Sequence, residues 1–132
     1  MRELSEHEYE QAKRPIRELQ LLNGSRPYTS QEWRLLTQTA QDKRADFRLR
    51  VRALTALWQT PDPSQQQEVV KLAAALLNDR QSIVRAYAAN ALAVLRAKQH
   101  LPRVERLATG DHDPIVREAA AAALARFASK RS

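Results

Sequence analysis

The chain has 132 residues, about one domain, with 22 Lys and Arg against 15 Asp and Glu for a formal net charge of +7. Hydrophobic residues make up 43% but aromatics only 5%, with two glycines and no cysteine, which favours packed helices and excludes disulfides, thiolate metal sites and a cysteine nucleophile. No stretch approaches the roughly 18 apolar residues of a membrane span, and the acidic start is no secretory signal, so the expectation is a cytoplasmic protein whose charge suits acidic partners.

Along the chain, Ser5 with Glu8 reads as a capping box that opens a first helix. Pro15 removes a backbone donor, so this helix is expected to kink or stop there. Ile16, Leu19, Leu21 and Leu22 then suggest a second short helix ended by Asn23-Gly24. Residues 1–28 are expected to form an atypical N-terminal helical cap on a repeat domain spanning 29–132, with a mobile arm as the alternative.

Thr29 with Glu32 opens the next helix, whose apolar stripe is Trp33, Leu36 and Ala40. Asp62-Pro63 with Gln65 supplies an N-cap, a proline at the first helical position and a partial capping box for the stripe Val69, Leu72, Ala73 and Leu76. A third stripe, Val104, Leu107 and Ala108, is followed by Gly110, where a left-handed C-terminal residue is expected. Asp113-Pro114 then starts the last helix.

Alternating with these segments is an internal repeat. Val84-Arg85 followed by Ala88, Ala91-Leu92 and Leu95 recurs 32 residues later as Val116-Arg117 followed by Ala120, Ala123-Leu124 and Phe127. The same frame stands 35 residues earlier as Leu49-Arg50, Ala53 and Ala56-Leu57. Apolar residues at i, i+4, i+7 and i+8 form one helical stripe, so these are equivalent second helices of three hairpins. The fold class expected is all-α, an α-solenoid of about three helical hairpins over residues 30–60, 62–97 and 100–128.

The runs Asp79…Ile83-Val84-Arg85…Ala88…Ala91-Leu92 and Asp111…Ile115-Val116-Arg117…Ala120…Ala123-Leu124 resemble HEAT repeats, in the short form of phycobilisome-lyase-like HEAT proteins. Tetratricopeptide and ankyrin repeats fit less well, because their Trp, Leu-Gly and Tyr positions and their Thr-Pro-Leu-His turn are missing. The resemblance implies that Arg85 and Arg117 pair with aspartates such as Asp79 and Asp111 in a structural ladder. The first repeat departs from this pattern: Arg44 stands where the aspartate is due, so Arg50 must turn to Asp42 or Asp46 or stay without an acid partner.

A basic stripe, Arg44, Arg48 and Arg52, is spaced i, i+4 and i+8, with Lys43 and Arg50 beside it. Like charges at this spacing repel, so the stripe reads as an anion-contacting patch. The alternatives are a solvated face or contacts to N-terminal acids such as Glu8 and Glu10. Tyr87 and Asn90 occupy the same face one repeat later and offer stacking and a hydrogen bond to a partner, against packing between hairpins. Trp33 and Trp58 read as core or seam residues. Five alanines, Ala119 to Ala123, leave a small-residue face on the last helix that suits a dimer or a docked helix, against simple helix propensity.

His7, His100 and His112 lie far apart, and no phosphate loop, serine elbow or paired carboxylates stand in a recognisable frame. Neither metal nor cofactor is expected. HEAT-like DNA glycosylases and bilin lyases are the enzymes this resemblance would suggest, yet none of their catalytic residues can be placed. The expectation is a non-catalytic scaffold that binds a protein partner through its concave face. The alternative is binding of a nucleic-acid backbone through the arginine stripe.

Overall fold

The computed structural model describes residues 3–129, in which seven α-helices and one 3-10 turn account for the regular structure and no strand occurs. The helices are α1 (Glu6–Gln20), α2 (Ser30–Gln41), α3 (Phe47–Leu57), α4 (Pro63–Leu76), α5 (Ser82–Val94), α6 (Leu101–Gly110) and α7 (Pro114–Ala128). The chain divides into two compact units, Met1–Val69 and Val70–Ser132, with the division inside α4.

The helix starts follow from local chemistry. Ser5 and Glu8, and Thr29 and Glu32, form complete capping boxes, so the first free N–H groups of α1 and α2 find acceptors. Asp62 Oδ1 accepts from Ser64 N at 2.8 Å, and Asp113 Oδ1 accepts from Ile115 N at 2.9 Å, each just before a proline that begins a helix. Gln65 does not complete a capping box. Its amide instead joins Tyr28 to the start of α4, donating to the Tyr28 carbonyl at 2.9 Å and accepting from the Tyr28 N–H at 3.3 Å.

Two expectations for the helices are corrected, and at Pro15 the alternative that the helix stops is ruled out. The helix α1 runs unbroken through Pro15, which sits on its exposed face while Tyr9, Ile16 and Leu19 are buried. Packing on both sides of the proline, against α3, holds the helix across the missing hydrogen bond. A second short helix after Pro15 is therefore absent among the described residues.

Gly110 is the last residue of α6 and is not left-handed, because extended Asp111 ends the helix and donates its N–H to the Leu107 carbonyl at 3.2 Å. Among the described residues, the left-handed positions are Asn23, Gly24 and Arg96. At Gly24, φ is +77° and a Cβ would stand 2.8 Å from the Gln59 carbonyl oxygen, so only glycine fits.

Arg96 takes the left-handed position after α5, with Ala97 N donating to the Leu92 carbonyl and Arg96 N to the Ala93 carbonyl. Its side chain then donates to the carbonyls of Arg126 at 2.8 Å and Ser129 at 3.1 Å, which closes the end of α7.

In the first unit, α1 and α2 both pack on α3, around fully buried Leu36, Leu54, Leu57 and Val69. In the second, α5 and α6 pack on α7 around Val84, Leu92, Val104 and Val116. Alanines at Ala88, Ala91, Ala120 and Ala123 are buried as well, and small side chains there allow helices to approach closely.

Candidate functional site

The basic stripe of the first unit does not lie on a single helix. Arg44 stands in the turn before α3, exposed, with its backbone N–H donating to Asp42 Oδ1 at 2.9 Å. Arg48, in the first turn of α3, donates Nε to Asp46 Oδ1 at 3.0 Å and Nη2 to Asp46 Oδ2 at 2.8 Å. The same nitrogen reaches the Leu4 carbonyl at 2.9 Å, and the guanidinium lies 4.2 Å from the centre of the Tyr9 ring. Glu6 of α1 lies 3.8 Å from Arg48 Nη1.

Asp46 also accepts from the backbone N–H groups of Leu4 and Arg48, both at 2.9 Å. The Arg48 guanidinium, foremost, holds the Asp46 carboxyl down at about 2. Arg52 donates to the Tyr9 hydroxyl at 3.0 Å and to Gln20 Oε1 at 2.9 Å. Arg50 is buried and donates to the Ala40 carbonyl at 3.1 Å. Two of the three stripe arginines are thus spent on α1 and the segment before it.

In the second unit, Arg85 forms a bidentate pair with Asp111, Nε to Oδ2 at 2.8 Å and Nη2 to Oδ1 at 3.0 Å. Both side chains are more than nine-tenths buried. The remaining nitrogen, Nη1, donates to the Asp79 carbonyl at 2.9 Å. Arg85 holds the Asp111 carboxyl below the usual carboxylate range. Arg117 repeats one part of this arrangement, donating Nη1 to the Asp111 carbonyl. The arginine therefore takes its own turn's backbone and the following turn's carboxylate. The Asp79 side chain is buried and accepts from Gln81 N at 3.0 Å.

Tyr87 and Asn90 lie half-buried on α5, in line with half-buried Ile83 and Val94. The repeat shift carries Ile83, Tyr87 and Asn90 to Ile115, Ala119 and Ala122 of α7, the helix that packs beside α5. Ile115 is 58% exposed, a large apolar side chain left in water. Ile83 and Ile115 sit in the same run as the two arginines, and their outward register follows directly from the inward one of Val84 and Val116.

On the turn side of this unit is an open groove of about 710 Å³, lined among others by Leu77, Asp79, Arg85, Arg103, Arg106 and Leu107. Arg103 and Arg106 did not stand out in the sequence, although their i, i+3 spacing on α6 was the available signal. In the first unit, Tyr28, Trp33, Arg34, Gln65 and Glu68 line a groove of about 610 Å³, which places half-buried Trp33 at a surface. Among the described residues, no three His, Asp or Glu side chains gather as a metal site requires, and no helix is long and apolar enough to cross a membrane.

Residues 69–132 match the family model of HEAT repeats. No curated protein and no solved structure matches the chain.

Proposed function

From the premise that the chain is a HEAT-like repeat protein, we propose that it is a non-catalytic interaction module, a cytoplasmic scaffold that holds a protein partner on its second-helix face. The observation that carries this reading is the apolar row Ile83, Tyr87 and Val94 on α5 beside exposed Ile115 on α7. HEAT repeats commonly serve as protein-interaction scaffolds, and their second helices line the binding surface in solenoids. An aromatic ring with an amide nearby, here Tyr87 and Asn90, is the kind of anchor that protein interfaces favour. On this reading residues 1–28 are the terminal cap of the 29–132 repeat domain, and the alanine face of α7 is available to a second copy.

Binding of nucleic acid through Arg44, Arg48 and Arg52 has less support, because Arg48 and Arg52 already donate to groups within the chain. A benzophenone amino acid placed at Tyr87, at Ile115 and, as an off-face control, at exposed Leu21 tests the reading in cells. The expected result is one protein, identified by mass spectrometry, joined at positions 87 and 115 and not at 21. Adducts with nucleic acid alone would transfer the function to the alternative. No adduct at either position would end the proposal.

A further inference from the structure

The groove on the turn side of the second unit shares no residue with the Tyr87 and Ile115 row. Its floor is electrically settled. Arg85 neutralises Asp111, both oxygens of which are occupied, and Asp79 is buried with its carbonyl and one carboxylate oxygen hydrogen-bonded. Its wall is not settled. Arg103 is half-buried and Arg106 exposed, one helical turn apart on α6, and neither guanidinium has a hydrogen-bond or ion-pair partner among the described residues. Half-exposed Leu107 adds an apolar surface next to them.

Two open guanidiniums beside an apolar side chain are a recognition pattern. Arginine forks bind carboxylates through paired, charge-assisted hydrogen bonds, and they give up water more readily than lysine does. We infer that this groove receives a short acidic protein segment, one that presents two carboxylates to Arg103 and Arg106 and an apolar side chain to Leu107.

A nucleic-acid strand fits the groove less well. Backbone binding gains strength from the number of phosphates neutralised, and two arginines neutralise about two. The phosphates of a strand also offer nothing to Leu107. An acidic segment uses all three groups. Exposed His112, 3.9 Å from Asp111 Oδ1 through Nδ1, stands at the rim.

The test is fluorescence anisotropy of the full chain with a fluorescein-labelled peptide of repeated Glu-Leu-Glu steps. The comparison probes are the same peptide with Gln for Glu and a labelled duplex DNA. The expected result is saturable binding of the acidic peptide alone, weakened at least tenfold in the Arg103→Gln/Arg106→Gln variant. Methyl resonances of Leu107 should shift on titration. Arg14→Gln/Arg17→Gln, on the exposed face of α1, should bind as the wild type does. The inference is overturned if the acidic peptide does not bind, if the α1 variant loses as much as the α6 variant, or if DNA binds more tightly through the same two arginines. None of these outcomes bears on cross-linking at positions 87 and 115, so the two proposals stand or fall separately.

Discussion

The arginines of α3 and those of α6 have the same chemistry and opposite fates. On α3, Arg48 and Arg52 look from their spacing like a surface field, yet their guanidiniums are tied to Asp46, the Leu4 carbonyl, the Tyr9 hydroxyl and Gln20. On α6, Arg103 and Arg106 form a shorter and less conspicuous pair, and they remain open. What separates them is the neighbour. The helix α1 packs on α3 with acceptors along its length, whereas the groove beside α6 carries carboxylates that Arg85 and backbone N–H groups already occupy. A positive stripe in a sequence becomes a field at the surface only where the fold leaves it without partners.

The largest effect expected is at Arg85, the internally paired counterpart of the open arginines. Arg85→Ala leaves the Asp111 carboxylate buried without its cation, and losing one partner of a buried pair costs about 3 to 5 kcal/mol. Urea unfolding at neutral pH measures it. Replacing both partners, as Arg85→Met with Asp111→Leu, should recover a large part of that loss, because no buried charge is then left alone. A cost below about 1 kcal/mol for the single variant would mean that Arg85 is no more committed than the α6 pair, and the contrast would fail.

Asp46 is the test on the α3 side. Its carboxyl is held at about 2, below the unfolded value of about 3.9, so it contributes stability at neutral pH that is lost as the pH falls from about 5 towards 2. The contribution is on the order of 2 kcal/mol. Asp46→Asn should lower stability by about that amount at pH 7 and converge with the wild type near pH 2. Glu32, also held at about 2 by its pairing with Arg26, keeps some acid dependence in the variant. A smaller companion effect is expected at Arg52: Arg52→Gln gives up two part-buried hydrogen bonds and should cost about 1 kcal/mol. Stability profiles between pH 2 and 7 that are parallel for wild type and Asp46→Asn would show that Asp46 does not hold α1 to α3 electrostatically.

Much of the architecture was legible because it rests on periodicity and capping. Apolar spacing marked the second helices, and the Ser5–Glu8 and Thr29–Glu32 boxes and the prolines after Asp62 and Asp113 gave the starts of four helices. What escaped were features decided by tertiary context. Pro15 stays helical because residues around it are buried against α3, and Gly110 needs no left-handed turn because Asp111 ends the helix in extended form.

The offset of the arginine contacts was also hidden. The resemblance to HEAT repeats implies that Arg85 meets an aspartate near its hairpin turn, and in the structure it donates to the Asp79 carbonyl there while the paired carboxylate comes from Asp111, 26 residues on. The open pair on α6 was missed for a related reason. The sequence places Arg103 and Arg106 on either side of Glu105 and does not show that this acid leaves both guanidiniums unpaired.

The smallest effect expected is also the one that sharpens the contrast most. If the α6 arginines carry no structural duty, Arg103→Gln/Arg106→Gln should unfold in urea within about 0.5 kcal/mol of the wild type, since surface substitutions away from caps, cores and buried pairs rarely do more. A slight gain is the favoured sign, because the two guanidiniums at i, i+3 repel each other by a few tenths of a kcal/mol and neither has an ion-pair partner among the described residues. Added salt should shrink that gain as it screens the exposed charges, whereas the loss at Arg85→Ala should hardly respond. A loss of more than about 1 kcal/mol in the α6 variant would mean that the pair supports the fold as Arg48 and Arg52 do, and its openness would no longer point to a partner.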